Sequence, residues 1–142
     1  MKKLLIMIFL TLPGYSIASD YGSIPDRFFS HIKVGETEKA IDFLYNTNRW
    51  VSKNSDQVIN LKSQLASLDG LVGQYLFHEL ISEKKVGKHY AHLIYLVGYE
   101  RQPLRFEIKV YKPGDEWRFQ GVSFDAELTD DIEKQANIKL LD

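Results

Sequence analysis

From Leu104 to Val110 apolar and charged residues alternate without a break: Leu104, Phe106, Ile108 and Val110 are apolar, and Arg105, Glu107 and Lys109 between them are charged. Successive side chains on a strand point to opposite faces, so this segment reads as a β-strand with one face buried and one in water. Such a strand needs neighbours and a second layer over its apolar face. Gly73 to Ile81, Tyr90 to Tyr99 and Trp117 to Phe124 are also rich in aromatic and β-branched residues, which makes four strands with Leu104 to Tyr111. Turn chemistry separates them at short range, in Val86-Gly87, Glu100 to Pro103 and Lys112-Pro113-Gly114-Asp115. Short connections of this kind predict consecutive antiparallel pairing.

The covering layer is read from the residues before the sheet. Ser23 to Val34 predicts a first helix, with Ser23 and Asp26 as a capping pair, Phe28, Phe29 and Ile32 on one face, and Gly35 as the stop. Thr37 to Asn46 predicts a second, with Ala40, Ile41, Phe43 and Leu44 forming its apolar stripe. A third begins at Ser52, Asn54 or Ser55 and runs to Asp69 with Val58, Leu61, Leu65 and Leu68 at helical spacing, ended by Gly70 and Gly73. After the strands, Asp130 and Glu133 are placed to cap a short terminal helix containing Ile132, Ala136 and Leu140. Helices first and a meander afterwards give an α+β domain, with the N-terminal helices packed on the concave face of a curved four-stranded antiparallel sheet.

Carrying the alternation through the turns assigns the faces. Leu93, Tyr95, Val97 and Tyr99 join Phe106 and Ile108 on the inner face, with Trp117 and Phe119 on their other side, and Leu76, His78 and Leu80 follow from the first turn. Gly121 interrupts the last strand, where a bulge would return Val122 and Phe124 inward. The outer face then includes Tyr75, Phe77, Glu79, Ile81, Ile94 and Leu96, more apolar than a solvated sheet face usually is.

The N-terminus carries an address. Lys2 and Lys3 precede a stretch from Leu4 to Leu12 with only Thr11 polar, Pro13-Gly14 breaks it, and Ser16 and Ala18 are the small residues that a signal peptidase requires. Residues 1–18 are therefore expected to be a signal peptide cleaved between Ala18 and Ser19, leaving 19–142 as one periplasmic or secreted domain. The apolar run is far shorter than the roughly 20 residues of a membrane span. Of the 18 basic residues Lys2 and Lys3 belong to this leader, so 16 remain against 19 acidic ones, a net charge of -3. That balance disfavours nucleic acid as a partner. The sequence has no cysteine, which excludes disulfides, thiolate catalysis, cysteine metal sites and lipoprotein anchoring.

Three stretches give the chain a family likeness across about residues 24 to 125. They are Gly35-Glu36 followed by Ala40, Ile41 and Leu44-Tyr45; Gly70, Gly73 and Tyr75 leading into the first strand; and Tyr111-Lys112-Pro113-Gly114-Asp115-Glu116-Trp117 before the last. In this order the elements resemble the nuclear transport factor two-like superfamily, the cone-shaped cystatin-like fold, and small exported bacterial members of unassigned activity look similar. The resemblance implies a pocket between the concave face and the helices and, in many members, a dimer through the outer face. The cystatin inhibitor signature of Gln, Val and Gly at alternate positions is absent.

Little in the sequence signals catalysis. His78-Glu79-Leu80-Ile81-Ser82 begins like a zinc-protease motif, but Ser82 replaces the second histidine and the segment is a strand. His89 and His92 point to opposite faces and make poor co-ligands, so no metal is expected. No phosphate loop, dinucleotide fingerprint or nucleophile elbow occurs, and no cofactor is expected. The catalytic candidates are His78, read as opposite Tyr95 on the inner face, with Tyr95 itself and Asp125 at the strand end. The expected ligand pocket is His78, Leu93, Tyr95, Phe106, Ile108, Trp117 and Phe119, and the expected interface is Phe77, Ile94 and Leu96, read as the seam of a C2 homodimer through the outer face, with a hetero-partner or the segment from Thr129 onward as the alternative cover. The function expected from this pattern is non-catalytic binding of a small apolar ligand or an envelope protein. The alternatives are a small isomerase, dehydratase or hydrolase using the inner-face histidine, and a structural assembly subunit.

Overall fold

The computed structural model describes Tyr21 and residues 23–139. The expected leader, its cleavage junction and Leu140 lie outside the described residues. Element order is α1 (Ile24–Lys33), α2 (Thr37–Asn46), α3 (Asp56–Ala66), α4 (Leu68–Val72), β1 (Tyr75–Val86), β2 (Tyr90–Tyr99), β3 (Pro103–Tyr111), β4 (Arg118–Asp125) and α5 (Leu128–Lys139). The strands form one open antiparallel sheet in the order β1-β2-β3-β4, with the other helices before it and α5 after. This is the α+β arrangement that alternation and turn chemistry predict.

Helix ends follow local chemistry, with two corrections. Ser55 caps α3 by accepting from the Val58 amide, its backbone in the extended region that an N-cap needs. Ser23 does not cap α1: it adopts left-handed backbone (φ 56°), which leaves its side chain outside the capping geometry, and Pro25 occupies the first turn without costing a helical hydrogen bond. The third helix divides at Ser67, so Gly70 lies inside α4. Gly73 alone (φ 82°) supplies the left-handed exit.

Residues of α1 fill the centre of the core. Phe28 and Phe29 are buried, tilted against Phe106 at ring distances of 6.3 and 5.9 Å, and Phe29 also meets Tyr95 at 4.8 Å. The second helix is fixed to β4: Thr47 accepts from the Phe119 amide at 2.9 Å, and the buried Asn48 donates to the Phe119 carbonyl at 2.7 Å. The extra residue of β4 falls at Gln120, because Lys109 pairs with Gly121 and Val110 with Phe119. Val122 and Phe124 are thereby returned to face Ile108 and Phe106, as expected from Gly121.

Strand β1 departs most from the sequence reading. It continues to Val86 rather than Ile81, and its pairing with β2 shifts twice, between Tyr75 and Phe77 and between Leu80 and Ser82. Tyr75, opposite Tyr99, therefore shares the inner face, and Leu76 is a bulge residue. His78 stands opposite Val97, while Leu80 stands opposite Tyr95. The second shift changes parity: beyond Ile81 the outer residues are Ser82, Lys84 and Val86. Strict alternation carries no signal for a bulge that lacks glycine, so the uniform reading placed Tyr75 outside and Leu76 inside.

Candidate functional site

The expected pocket residues separate into two groups. Leu93, Phe106, Ile108 and Phe119 are core residues, each no more than 1% exposed, with Phe28 and Phe29 of α1 against Phe106 and Tyr45 of α2 against Phe119. Trp117 is half-buried at the sheet end with its ring edge-on to Tyr21. His78 and Tyr95 meet at the rim, where Tyr21, Pro25 and Leu80 complete the walls of a cleft of about 350 Å³ and Ser23 and Asp26 add polar groups.

The cleft's chemistry is set by desolvation. One face of the His78 ring stacks on Phe29 at 4.1 Å, and its Nδ1 shares a hydrogen bond with the Tyr75 hydroxyl. Loss of water holds its pKa below the ordinary 6.5, against the attraction of Asp26. The Tyr95 phenol is pushed well above its ordinary range, first by burial and then by the charges of Asp26 and Glu83, so its hydroxyl stays protonated. Tyr21 hydrogen-bonds Glu83 beside it. Among the described residues no carboxylate hydrogen-bonds His78. Asp125 lies on the other side of the sheet, where Arg105 binds it at 3.0 Å. The three catalytic candidates are thus not assembled into one acid-base unit.

On the outer face, Phe77, Ile94 and Leu96 lie on neighbouring strands. The Phe77 ring lies across Gly98, and Ile94 and Leu96 stand opposite Ser82 and Glu79. Toward β3 the face becomes polar: His92 meets Glu107 at 2.8 Å, and Arg105 contacts Glu107, Asp125 and Asp131. The Asp131 contact, at 2.6 Å, fastens α5 over β3. Among the described residues β1 pairs on one side only and keeps apolar side chains exposed along its length: Phe77 on the outer face (49%), Leu80 on the inner side of the edge (43%), and Leu76 and Ile81 at the two bulges (58 and 45%). The alternation places Phe77 and Ile81 on the outer face and assigns Leu76 and Leu80 inward, so the exposure of the last two is a correction. The one available signal was that β1 is first in a meander and therefore at an edge.

A second cleft, of about 480 Å³, lies between the end of α2 and the β3-β4 turn. Arg49, Arg118, Asp115 and Glu116 all line it, a balance that selects no ligand charge. Among the described residues no group of three His, Asp or Glu side chains is placed to hold a metal ion, and no helix is long and apolar enough to cross a membrane. Comparison with protein-family models, with curated proteins and with solved structures finds no match.

Proposed function

We propose that this chain is an exported, non-catalytic binding domain that recognises a protein through β1 and the adjoining outer face. The observation that carries the reading is the exposed apolar edge of β1, with Phe77 outward, Leu80 on the inner side and Leu76 and Ile81 at its bulges, on a strand that pairs on one side only among the described residues. Two observations add support: Phe28 and Phe29 of α1 are buried against Phe106 on the inner face, and His78 lacks a carboxylate hydrogen-bond partner among the described residues. The likeness to nuclear transport factor two-like domains belongs to this proposal and draws support from the order of helices and strands. Export rests on the leader pattern, and intact-mass measurement of protein from the envelope fraction is expected to begin at Ser19; Met1 retained there overturns it.

The test of binding is a photo-crosslinking amino acid placed at Phe77 in producing cells, with Ile59 on exposed α3 as the control position. Covalent protein adducts are expected from position 77 and not from position 59. Equal yields, or none from position 77, overturn the reading.

A second reading is favoured by one feature of the rim cleft. Tyr95 is 93% buried (7% exposed), lines the cleft, and its hydroxyl is in none of the hydrogen bonds among the described residues. A small apolar ligand with one acceptor atom fits such a group. Native mass spectrometry of the purified protein tests this, with bound mass expected to be lost in Tyr95→Phe; an empty wild-type protein overturns it.

A further inference from the structure

We propose that the protein seated on β1 is a second copy of this chain, its β1 paired antiparallel so that Glu79 faces Lys84 of the second copy and Phe77 faces its Val86. The inference rests on the preceding reading of β1 as a recognition surface and names the occupant.

Strand β1 is 12 residues long and pairs on one side only, with β2, among the described residues. Long edges are normally blunted by lysines and bulges, and β1 has both, in Lys84 and Lys85 and at its two register shifts. The placement of these features selects a partner rather than refusing all of them. Glu79 lies before the second shift and Lys84 after it, and both point to the outer face. An antiparallel copy brings the acidic half of one strand against the basic half of the other, and two-fold symmetry makes the Glu79–Lys84 contact twice.

The bulge at Ile81 is what allows this. In an unbroken strand all outer residues share parity, and Glu79 and Lys84, five positions apart, would sit on opposite faces. Because parity changes at Ile81, outer residues Phe77 and Glu79 can face outer residues Val86 and Lys84. Sliding the pairing by two residues in either direction sets Phe77 against Lys84 or Lys88 and Glu79 against Ser82 or Val86, which loses both matches. On the inner face the favoured register places Leu80 beside Glu83 and His78 beside Lys85, so recognition is carried by the outer face. Neither Glu79 nor Lys84 has an ion-pair partner among the described residues, which leaves both for the second copy.

The test is sedimentation of the mature protein at micromolar concentration, together with register-specific cross-linking that the cysteine-free sequence makes clean. A dimer is expected. Glu79→Lys is expected to weaken it at least about tenfold while leaving the circular dichroism unchanged, and Glu79→Lys with Lys84→Glu to restore it. The Glu79→Cys, Lys84→Cys double variant is expected to oxidise to a covalent dimer, and Glu79→Cys with Ser82→Cys to stay reduced. A dimer indifferent to Glu79→Lys overturns the register. A monomeric wild-type protein overturns self-pairing, and the adducts at position 77 then separate the two failures: a different protein there leaves β1 as a recognition strand, and no adduct removes that reading as well.

Discussion

The ring of Phe77 covers the backbone of Gly98 on the neighbouring strand so closely that a β-carbon at position 98 would overlap Cε1 of Phe77. The two residues are direct partners in the β1-β2 register, and the missing side chain on β2 makes room for the ring. A half-exposed phenylalanine thereby hides one face against a strand and presents the other.

This relationship predicts non-additivity. Gly98→Ala is expected to cost about 1 to 2 kcal/mol, because the ring must swing away from the new methyl group. In a Phe77→Ala background the same change should cost well under that, giving a coupling of about 1 kcal/mol in denaturant melts. Additive losses would mean that the ring does not rest on Gly98.

The division between core and surface on β3 gives a second expectation. Phe106 is fully buried between α1 and Phe124, whose ring stacks on it at 5.1 Å, while Lys109 points outward over Gly121. Phe106→Ala should cost about 3 to 5 kcal/mol and Lys109→Ala less than about 1. Equal losses would mean the faces are exchanged.

The regular parts of this fold were legible because one periodicity decided them. The alternation from Leu104 to Val110 fixed the faces of β2 and β3, and the spacing of Ala40, Ile41 and Leu44 fixed α2 with its ends. The bulge of β4 was readable because Gly121 marked it. Those of β1 were not, since Leu76 and Ile81 look like ordinary strand residues. That loss matters most at the candidate sites: it moved Tyr75 next to His78 and put Lys84 on the face of Glu79. The depth to which Phe28 and Phe29 pack against Phe106 was equally hidden, because spacing shows which face of a helix is apolar but not how closely it meets the sheet.

Attachment of α5 depends on few contacts. The helix has no fully buried residue and exposes Ile132 and Ile138, while Arg105, 17% exposed, binds Asp131 at 2.6 Å and Asp125 at 3.0 Å. Asp131→Ala is therefore expected to raise hydrogen exchange across residues 128–139 about fivefold, corresponding to about 1 kcal/mol, with little change in the global melt. Unchanged exchange there would show that the pair does not hold the helix.

Asn48 was silent in the sequence and is the one polar side chain among the described residues that is buried. It donates to the Phe119 carbonyl, and its Oδ1 accepts from the Trp50 amide at 3.1 Å. Asn48→Ala strands both backbone groups and should cost about 2 kcal/mol, against less than about 0.5 for Asn46→Ala at an exposed position nearby. A cost for Asn48→Ala no greater than that for Asn46→Ala would mean that water replaces both bonds.

Loss of water, with a smaller push from the charge of Lys33 and against the attraction of Asp26, depresses the pKa of His78 below 6.5, so well above that value folded and unfolded chains both hold it neutral and it contributes no pH dependence. As pH falls below 6.5 the unfolded chain takes up a proton that the folded one refuses, and stability declines until the folded pKa is reached. Glu36 does not enter this window. Lys39, then His31, hold its carboxyl below the ordinary 4.5, and any stability it contributes is lost only at lower pH. His78→Phe keeps a ring against Phe29 but has no proton to bind, so the wild type should lose more melting temperature than this variant between pH 7 and 5.5. Parallel curves for the two proteins would show that His78 titrates as it does in water.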